Sequence, residues 1–203
     1  GSFFDDEDKN SKWGAYDDVL MQKLAEDLSK FQKEPFFTIA LTLSSHEPFE
    51  MKGDYAFGDD TVSNKFRSLH HYTDSVIGDF INFAKRQEWY KNTVIVIMSD
   101  HGHGLPVLEA PLFSSKRFQI PMLWLGGAVN PKIKEIPFVS SQVDFAYTLL
   151  DLLGGDKKGF RFSKNLLNKS DHNYAHYSYG NGFGTLNKNS AFLYDYTAKK
   201  TIL

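Results

Sequence analysis

The sequence predicts an α/β fold with a small antiparallel β appendage at its C-terminal end. Three observations predict this fold class. Two apolar runs, residues 36–43 and 94–98, have the composition of buried strands, and each ends in a polar cluster that contains histidine. Amphipathic helical patterns lie before and between these runs. After residue 155 the sequence changes to short aromatic-rich runs that are separated by Gly and Asn turns.

The first half of the chain contains two helices and one strand in this prediction. Asp17 or Asp18 is expected to cap a helix that continues to about residue 31. Pro35 then starts a strand over residues 36–43, which is apolar on both faces, as is typical of a central parallel strand. After a Gly/Asp loop, apolar residues at helical spacing predict a long helix from residue 62 to residue 84.

The second half begins with the strand at residues 94–98. A third strand is predicted over residues 118–125, where Pro121 indicates an edge position or an irregularity. A helix over residues 142–153 should stop at the glycine pair 154–155. Residues 174–203 are expected to form hairpins, with aromatic side chains in the core of that small sheet rather than on a sugar-binding platform.

Composition and charge limit the classes of function. The chain has 203 residues, of which 41% are hydrophobic and 15% aromatic, and this is sufficient for one globular core. A net charge of −2 without a basic run gives no support for a nucleic-acid partner. Cysteine is absent, which excludes a disulfide framework, a thiolate metal site and a cysteine nucleophile. No run approaches the roughly 20 apolar residues of a membrane span.

The most informative stretch is Ser-Asp-His-Gly-His-Gly, which follows the strand at 94–98 directly. Ligands bind at the carboxyl ends of strands in open α/β sheets. Asp100 and His101 can give an oxygen and a nitrogen to one divalent ion, and the glycines allow a sharp turn. A polar turn without a ligand is the alternative interpretation of the Asp-His pair on its own.

Six motifs occur in order along the chain: WGAYDD at 13–18, FFTIALTLSSHEPF at 36–49, YTDSVIGDFI at 72–81, VIVIMSDHG at 94–102, QIPM at 119–122 and QVDFAYTLL at 142–150. Together they resemble the C-terminal half of the sulfatase-like catalytic domain of lipoteichoic acid synthases and related phosphoglycerol transferases, in the alkaline phosphatase superfamily. The resemblance covers residues 12–155 and extends more loosely to the remainder.

The resemblance implies a fold, a cofactor and site residues. The fold would be a partial alkaline-phosphatase/sulfatase-like sheet flanked by helices, with residues 12–155 as the C-terminal half of that domain and 156–203 as its small β subdomain. Residues 1–11 are interpreted as a tag scar, Gly1-Ser2, and an acidic lead-in. Asp100 and His101 would be ligands of a divalent metal, typically Mn²⁺, with Mg²⁺, Ca²⁺ or Zn²⁺ as alternatives. His46 would be a catalytic residue beside the phosphate or sulfate of the substrate, where it would donate a hydrogen bond to a non-bridging oxygen or to the leaving group.

The resemblance also implies what lies outside the chain. In this family the nucleophile, a threonine in the transferases, and a further acidic ligand precede the segment that this chain matches. We therefore expect the upstream half of its own domain as a partner, and an isolated chain that is inactive. Family members act on lipid-linked or other anionic ester substrates outside the cytoplasm, and N-terminal helices of the parent protein anchor them in the membrane.

Other polar residues carry weaker predictions. His103 could face the substrate or solvent. Lys116 and Arg117 could meet a substrate anion, although solvated cations beside a strand are more common. His70 and His71 are adjacent on a helix and are not expected to share a metal. The remaining expectations are a structural hydrogen-bonding role for Asp74 and surface positions for His172 and His176.

Two rival functions follow from the same residues. A sulfatase would use this scaffold to hydrolyse sulfate esters through an upstream formylglycine. The sequence SSHEPF at 44–49 is more similar to the corresponding transferase sequences than to those of most sulfatases. A non-catalytic envelope binding module on the same fold is the second rival, although such a scaffold would need neither the Asp100–His101 pair nor His46.

Overall fold

The structure is a computed structural model that describes residues 4–11, 14–30, 34–106, 110–168 and 174–202. The chain divides into two compact units. One unit contains residues 1–98, 104–108 and 122–129, and the other contains residues 99–103, 109–121 and 130–203. The expected domain boundary near residue 155 remains a prediction that rests on the resemblance. The prediction for His172 lies outside the described residues.

The first unit combines two helices with two small antiparallel pairs of strands. Short 3₁₀ turns at Asp6–Asp8 and Glu88–Asn92 accompany them. Its regular elements are β1 (Lys9–Ser11), β2 (Gly14–Ala15), α1 (Asp17–Lys30), α2 (Val62–Ala84), β3 (Ile95–Met98) and β4 (Met122–Leu125). β1 pairs with β2, and β3 pairs with β4 in a register that joins Ile95 to Leu125 and Met98 to Met122.

The long helix α2 confirms the prediction from helical spacing. It begins after Thr61, whose side-chain oxygen accepts a hydrogen bond from the Asn64 amide at 3.1 Å and so caps the helix. The buried side of α2 includes most of the predicted apolar face; its fully or nearly buried residues are Phe66, Ser68, Leu69, Thr73, Ile81 and Ala84. Phe66 and Leu69 form the core of the unit together with Phe49.

The prediction of a regular strand at residues 36–43 is wrong. Within the described part of the chain the segment belongs to no helix and to no sheet. A strand requires a neighbour whose backbone groups pair with its own, and composition alone does not provide that neighbour. Phe37, Ile39 and Leu41 alternate along the segment and are 74%, 72% and 80% exposed. An apolar composition therefore did not determine whether this segment pairs with another strand.

Two predictions about acidic residues also need correction. Asp17 is not the N-cap residue of α1 but its first helical residue. Its fully buried carboxylate accepts hydrogen bonds from the amides of Leu43 and Ser44. Asp74 is exposed, because the adjacent Thr73 occupies the buried side of α2. Asp17, rather than Asp74, is therefore a buried structural carboxylate of this unit.

The second unit contains the predicted C-terminal helix and sheet. A 3₁₀ turn lies at Ser115–Phe118. The regular elements are α3 (Asp144–Leu152), β5 (Tyr174–Tyr179), β6 (Gly182–Asn187), β7 (Ala191–Asp195) and β8 (Lys200–Thr201). Gly154 ends α3 with a φ of +69°, and the Gly155 amide donates to the carbonyl of Leu150 at 2.8 Å. This arrangement confirms the predicted glycine stop.

The four C-terminal strands form one antiparallel sheet in the order β5-β6-β7-β8. Phe183 contacts the rings of Phe192, Tyr194 and Tyr196, with centroids 5.7–6.2 Å apart. On the opposite face Leu193 is only 2% exposed. These aromatic rings contact one another, but Phe192 is 42% and Tyr196 55% exposed, so their face is not the buried core that the sequence predicted. None of the helices within the described residues is long and apolar enough to cross a bilayer.

The contact between α1 and α2 predicts a dependence of stability on alkaline pH. The Tyr72 hydroxyl donates to the Asp18 carboxylate at 2.7 Å, and burial together with this hydrogen bond raises the pKa of Tyr72. Above the unfolded pKa of about 10, the unfolded chain loses the proton while the folded chain keeps it, so rising pH destabilises the fold. In guanidinium titrations between pH 8 and pH 11.5, wild type should lose more stability than Tyr72→Phe. Parallel losses in the two proteins would contradict this assignment.

Candidate metal and phosphate site

The Asp100–His101 pair follows β3 directly and lies in the second unit. Asp100 Oδ2 and His101 Nε2 are 3.7 Å apart, and the two side chains are 82% and 65% exposed. Two donors that each bond one ion at about 2.0–2.2 Å can be separated by at most about 4.2 Å. The observed separation therefore allows both atoms to bond the same ion, and solvent exposure leaves them accessible to it.

The hydrogen bonds of His101 select the ring tautomer that binds metals. His101 Nδ1 lies 2.9 Å from the carbonyl oxygen of Gly102. A carbonyl oxygen only accepts hydrogen bonds, so Nδ1 carries the proton in the neutral ring and Nε2 keeps its lone pair. The Asp100 carboxylate is also held, because its Oδ1 accepts from the His101 amide at 2.9 Å. Both potential ligand atoms, Asp100 Oδ2 and His101 Nε2, are free of these backbone contacts.

The backbone at this site is fixed by a residue whose role the sequence did not indicate. Gln142 Nε2 donates to the carbonyls of Ser99 at 3.2 Å and Asp100 at 3.0 Å. Gln142 was part of a motif that carries the resemblance, but its residue type alone gives no signal for this contact. Two residues later, the fully buried Asp144 accepts from the Ser141 amide and pairs with Lys164 Nζ at 2.6 Å.

His46 lies in the first unit, on the turn that follows the apolar segment 36–43. Its amide donates to the carbonyl of Leu43 at 2.9 Å, and its own carbonyl accepts from the Phe49 amide at 3.0 Å. His46 Nδ1 is 2.8 Å from the carbonyl oxygen of Glu47 and 3.7 Å from Glu47 Oε2. The side chain is 59% exposed, with Nε2 as the nitrogen that does not face these acceptors.

The weaker candidates differ in their surroundings. His103 is exposed, and Lys116 is an exposed residue of the 3₁₀ turn at Ser115–Phe118. Arg117 is partly buried and donates from Nε to the carbonyl of Ala110 at 3.1 Å. His70 contacts the Phe66 carbonyl, whereas His71 lies against the Phe57 ring, so the two rings have different partners. His176 is exposed and bonds Thr185, as expected for a surface residue.

The described residues provide two metal donors in close proximity but no larger cluster. Among them, no three His, Asp, Glu or Cys side chains are grouped so that they could hold one metal ion. Two protein ligands give a transition metal weaker binding than the three or four that closed sites use. The donor types fit a divalent ion, and their number fits part of a coordination shell.

Comparison with known proteins places the chain in a family. The profile of the family named Sulfatase matches residues 2–155. Lipoteichoic acid synthase-like YvgJ of Bacillus subtilis is 28% identical in an alignment of 190 residues that covers 81% of this chain and 31% of that protein. Phosphoglycerol transferase I of Xanthomonas euvesicatoria is 29% identical in an alignment of 167 residues that covers 77% of this chain and 23% of that protein.

Solved structures show the same fold. An alkaline phosphatase superfamily protein from Vibrio parahaemolyticus superimposes with a TM-score of 0.73 at 25% identity, over 94% of this chain and 50% of the other. The lipoteichoic acid synthase LtaP from Listeria monocytogenes gives a TM-score of 0.70 at 24% identity, over 100% of this chain and 57% of the other. The chain therefore spans about half of each solved relative and less than a third of the two curated relatives above.

The close approach of two backbone segments at Gly102 makes the site sensitive to a single methyl group. A Cβ at Gly102 would lie 2.1 Å from the carbonyl oxygen of Arg117 and 3.1 Å from the Cα of Phe118. Gly102→Ala should therefore destabilise the second unit by about 1–3 kcal/mol, because backbone has to move. Gly159→Ala is the matched control, since a Cβ there meets nothing within 4 Å. Equal unfolding midpoints for the two variants would contradict the described turn.

Such a match over three quarters of the sequence, with the expected acid–histidine pair at the end of β3, leads to one conclusion: this chain belongs to the Sulfatase family.

Proposed function

We propose that the chain is the C-terminal half of the catalytic domain of a metal-dependent phosphoglycerol, or similar head-group, transferase. The observation that carries the proposal is the Asp100–His101 pair, whose two free donor atoms lie 3.7 Å apart at the end of β3. Relatives named as a lipoteichoic acid synthase-like protein and as phosphoglycerol transferases support the reaction class. The substrate would be a lipid-linked phosphodiester and the acceptor a hydroxyl of the cell envelope.

Asp100 Oδ2 and His101 Nε2 would hold the divalent ion, for which Mn²⁺ is our first choice. When bound, such an ion stabilises negative charge on the phosphate and favours the ionised form of a hydroxyl nucleophile. Gln142 keeps the backbone of Ser99 and Asp100 in place through its two hydrogen bonds. The nucleophile would be an upstream threonine, whose oxygen bonds to phosphorus as the lipid-linked oxygen leaves.

His46 would bind an anionic oxygen of the substrate. Because Nδ1 faces the carbonyl oxygen of Glu47, the neutral ring carries its proton there and Nε2 is an acceptor. Nε2 can donate to a phosphate oxygen only when the ring has two protons, with Nδ1 then donating to the carbonyl oxygen of Glu47. A cationic donor suits a phosphate that gains negative charge in the transition state.

The remainder of the catalytic domain would cover the apolar segment at residues 36–43. Phe37, Ile39 and Leu41 are each more than 70% exposed on a segment whose backbone belongs to no sheet in the described part of the chain. Such an apolar face is stable in water only when another strand or helix covers it. An upstream half would supply this cover, together with further metal ligands. N-terminal helices of the parent would place the whole domain outside the cytoplasm.

The test uses the protein extended upstream through the segment that carries the proposed nucleophile. With Mn²⁺ present, it should cleave bis-p-nitrophenyl phosphate faster than p-nitrophenyl sulfate. His46→Ala should cost about 100- to 1000-fold in rate, as expected when a transition-state donor is removed. Asp100→Ala should also abolish the stimulation by Mn²⁺.

Two exposed residues of α2 provide matched controls for these variants. Asp74→Ala and His71→Ala remove the same residue types without touching the proposed site, and both should retain activity. Preferential cleavage of the sulfate ester would assign the protein to the hydrolysing sulfatases, the second candidate, which the family name favours. Inactivity on both esters, with no response to Mn²⁺, would favour a non-catalytic binding module.

A further inference from the structure

The fully buried carboxylate of Asp17 connects three segments of the first unit. Its Oδ1 accepts from the amides of Leu43 at 2.8 Å and Ser44 at 3.0 Å. Its Oδ2 accepts from the hydroxyl of Thr73 on α2 at 2.7 Å. The Asp17 amide in turn donates to Ser44 Oγ at 3.2 Å, so Asp17 and Ser44 bond each other in both directions. Both residues are 0% exposed.

This use of Asp17 is unusual for an acidic residue at the start of a helix. Such carboxylates ordinarily accept from amides of the helix's own first turn. Asp17 instead directs both oxygens to other segments. Its partners Leu43 and Ser44 lie where residues 36–43 meet the turn, and residues 36–43 belong to no sheet among the described residues, so no ladder bonds of that segment fix its end.

The segment held by Asp17 leads directly to His46. The turn closes where the His46 amide donates to the carbonyl of Leu43 at 2.9 Å. On the other side, Phe49 is 2% exposed and packs edge-on against Phe66 with ring centroids 5.5 Å apart. Tyr55 Oη also donates to the carbonyl of Phe49 at 3.0 Å. The histidine thus lies on a short loop with a polar anchor before it and an apolar anchor after it.

We infer that Asp17 is a positioning residue for His46: its buried carboxylate, held by Thr73, fixes Leu43 and Ser44 and thereby sets the place of the imidazole that contacts the substrate. The inference rests on the proposed function for the role of His46 but not for the geometry of the loop. Asp17 acts through His46 and does not itself contact the phosphate. A displacement of about 1 Å at such a group costs up to about 100-fold in rate.

The first experiment needs no activity and uses the 203-residue chain as it is. Asp17→Ala should speed hydrogen exchange of the Leu43 and Ser44 amides on the order of tenfold, because the loop end opens locally. It should also shift the His46 ring resonances. Asp17→Asn should restore most of the wild-type pattern, since its amide oxygen can accept from both backbone amides while its NH₂ group donates to Thr73. Unchanged exchange and ring resonances in folded Asp17→Ala would overturn the inference.

A second pair of variants decides the matter if Asp17→Ala does not fold. Thr73→Val removes the donor to Asp17 and should change the same amide and ring signals. Thr148→Val is the matched control: this buried threonine accepts from the Leu166 amide at 2.8 Å and has no bond to the His46 loop. The inference fails if Thr73→Val leaves the His46 signals unchanged, or if Thr148→Val changes them equally.

The second experiment measures coupling in the upstream-extended enzyme. Asp17→Ala should lower kcat by about 10- to 100-fold when His46 is present, and by less than about twofold in the His46→Ala background. Equal losses in both backgrounds would show that Asp17 acts on the fold in general and would overturn the inference. Should the enzyme cleave no phosphodiester, the proposed function fails, whereas the exchange and resonance data still judge the role of Asp17.

Discussion

Burial of the Asp17 carboxylate is the interaction on which the first unit depends most. A carboxylate is expensive to remove from water, and it stays buried only when hydrogen bonds satisfy its oxygens. Two amides and one hydroxyl do so here, and they come from segments 26 and 56 residues away in sequence. The start of α1, the middle of α2 and the end of the apolar segment 36–43 are thereby fixed together. Deleting the carboxylate would leave buried donors without acceptors, which costs about 1–3 kcal/mol for each.

The second unit also contains a buried carboxylate whose oxygens are satisfied by hydrogen bonds. Asp144 is also fully buried at the start of a helix, and it accepts from the Ser141 and Lys164 amides and from Lys164 Nζ. This network holds the turn that carries Gln142, which in turn bonds the backbone of Ser99 and Asp100. In each unit, therefore, hydrogen bonds to a buried carboxylate help to hold the backbone near an exposed loop that contains histidine. The exposed groups are free to meet a ligand because the backbone beneath them is held by other residues.

The sequence predicted those features that depend on local pattern. Helical spacing located α2, the glycine pair located the end of α3, and aromatic runs with Gly/Asn turns located the C-terminal sheet. The Asp-His-Gly motif located a pair of metal donors, Asp100 Oδ2 and His101 Nε2, which lie 3.7 Å apart in the structure. Features that depend on distant partners were missed. Nothing local to residues 36–43 shows that no described strand pairs with them. Nothing local to Asp17 or Gln142 reveals partners that fold in from 27 or 43 residues away.

The central claim is that Asp100 and His101 present two donors to one divalent ion. Titration of the 203-residue chain with Mn²⁺, followed by paramagnetic broadening of its amide resonances, tests this claim most directly. The account predicts that residues 99–103 broaden first and that Asp100→Ala abolishes this broadening. Broadening that begins elsewhere, for example at the acidic residues 5–8, or that persists unchanged in Asp100→Ala, would contradict it.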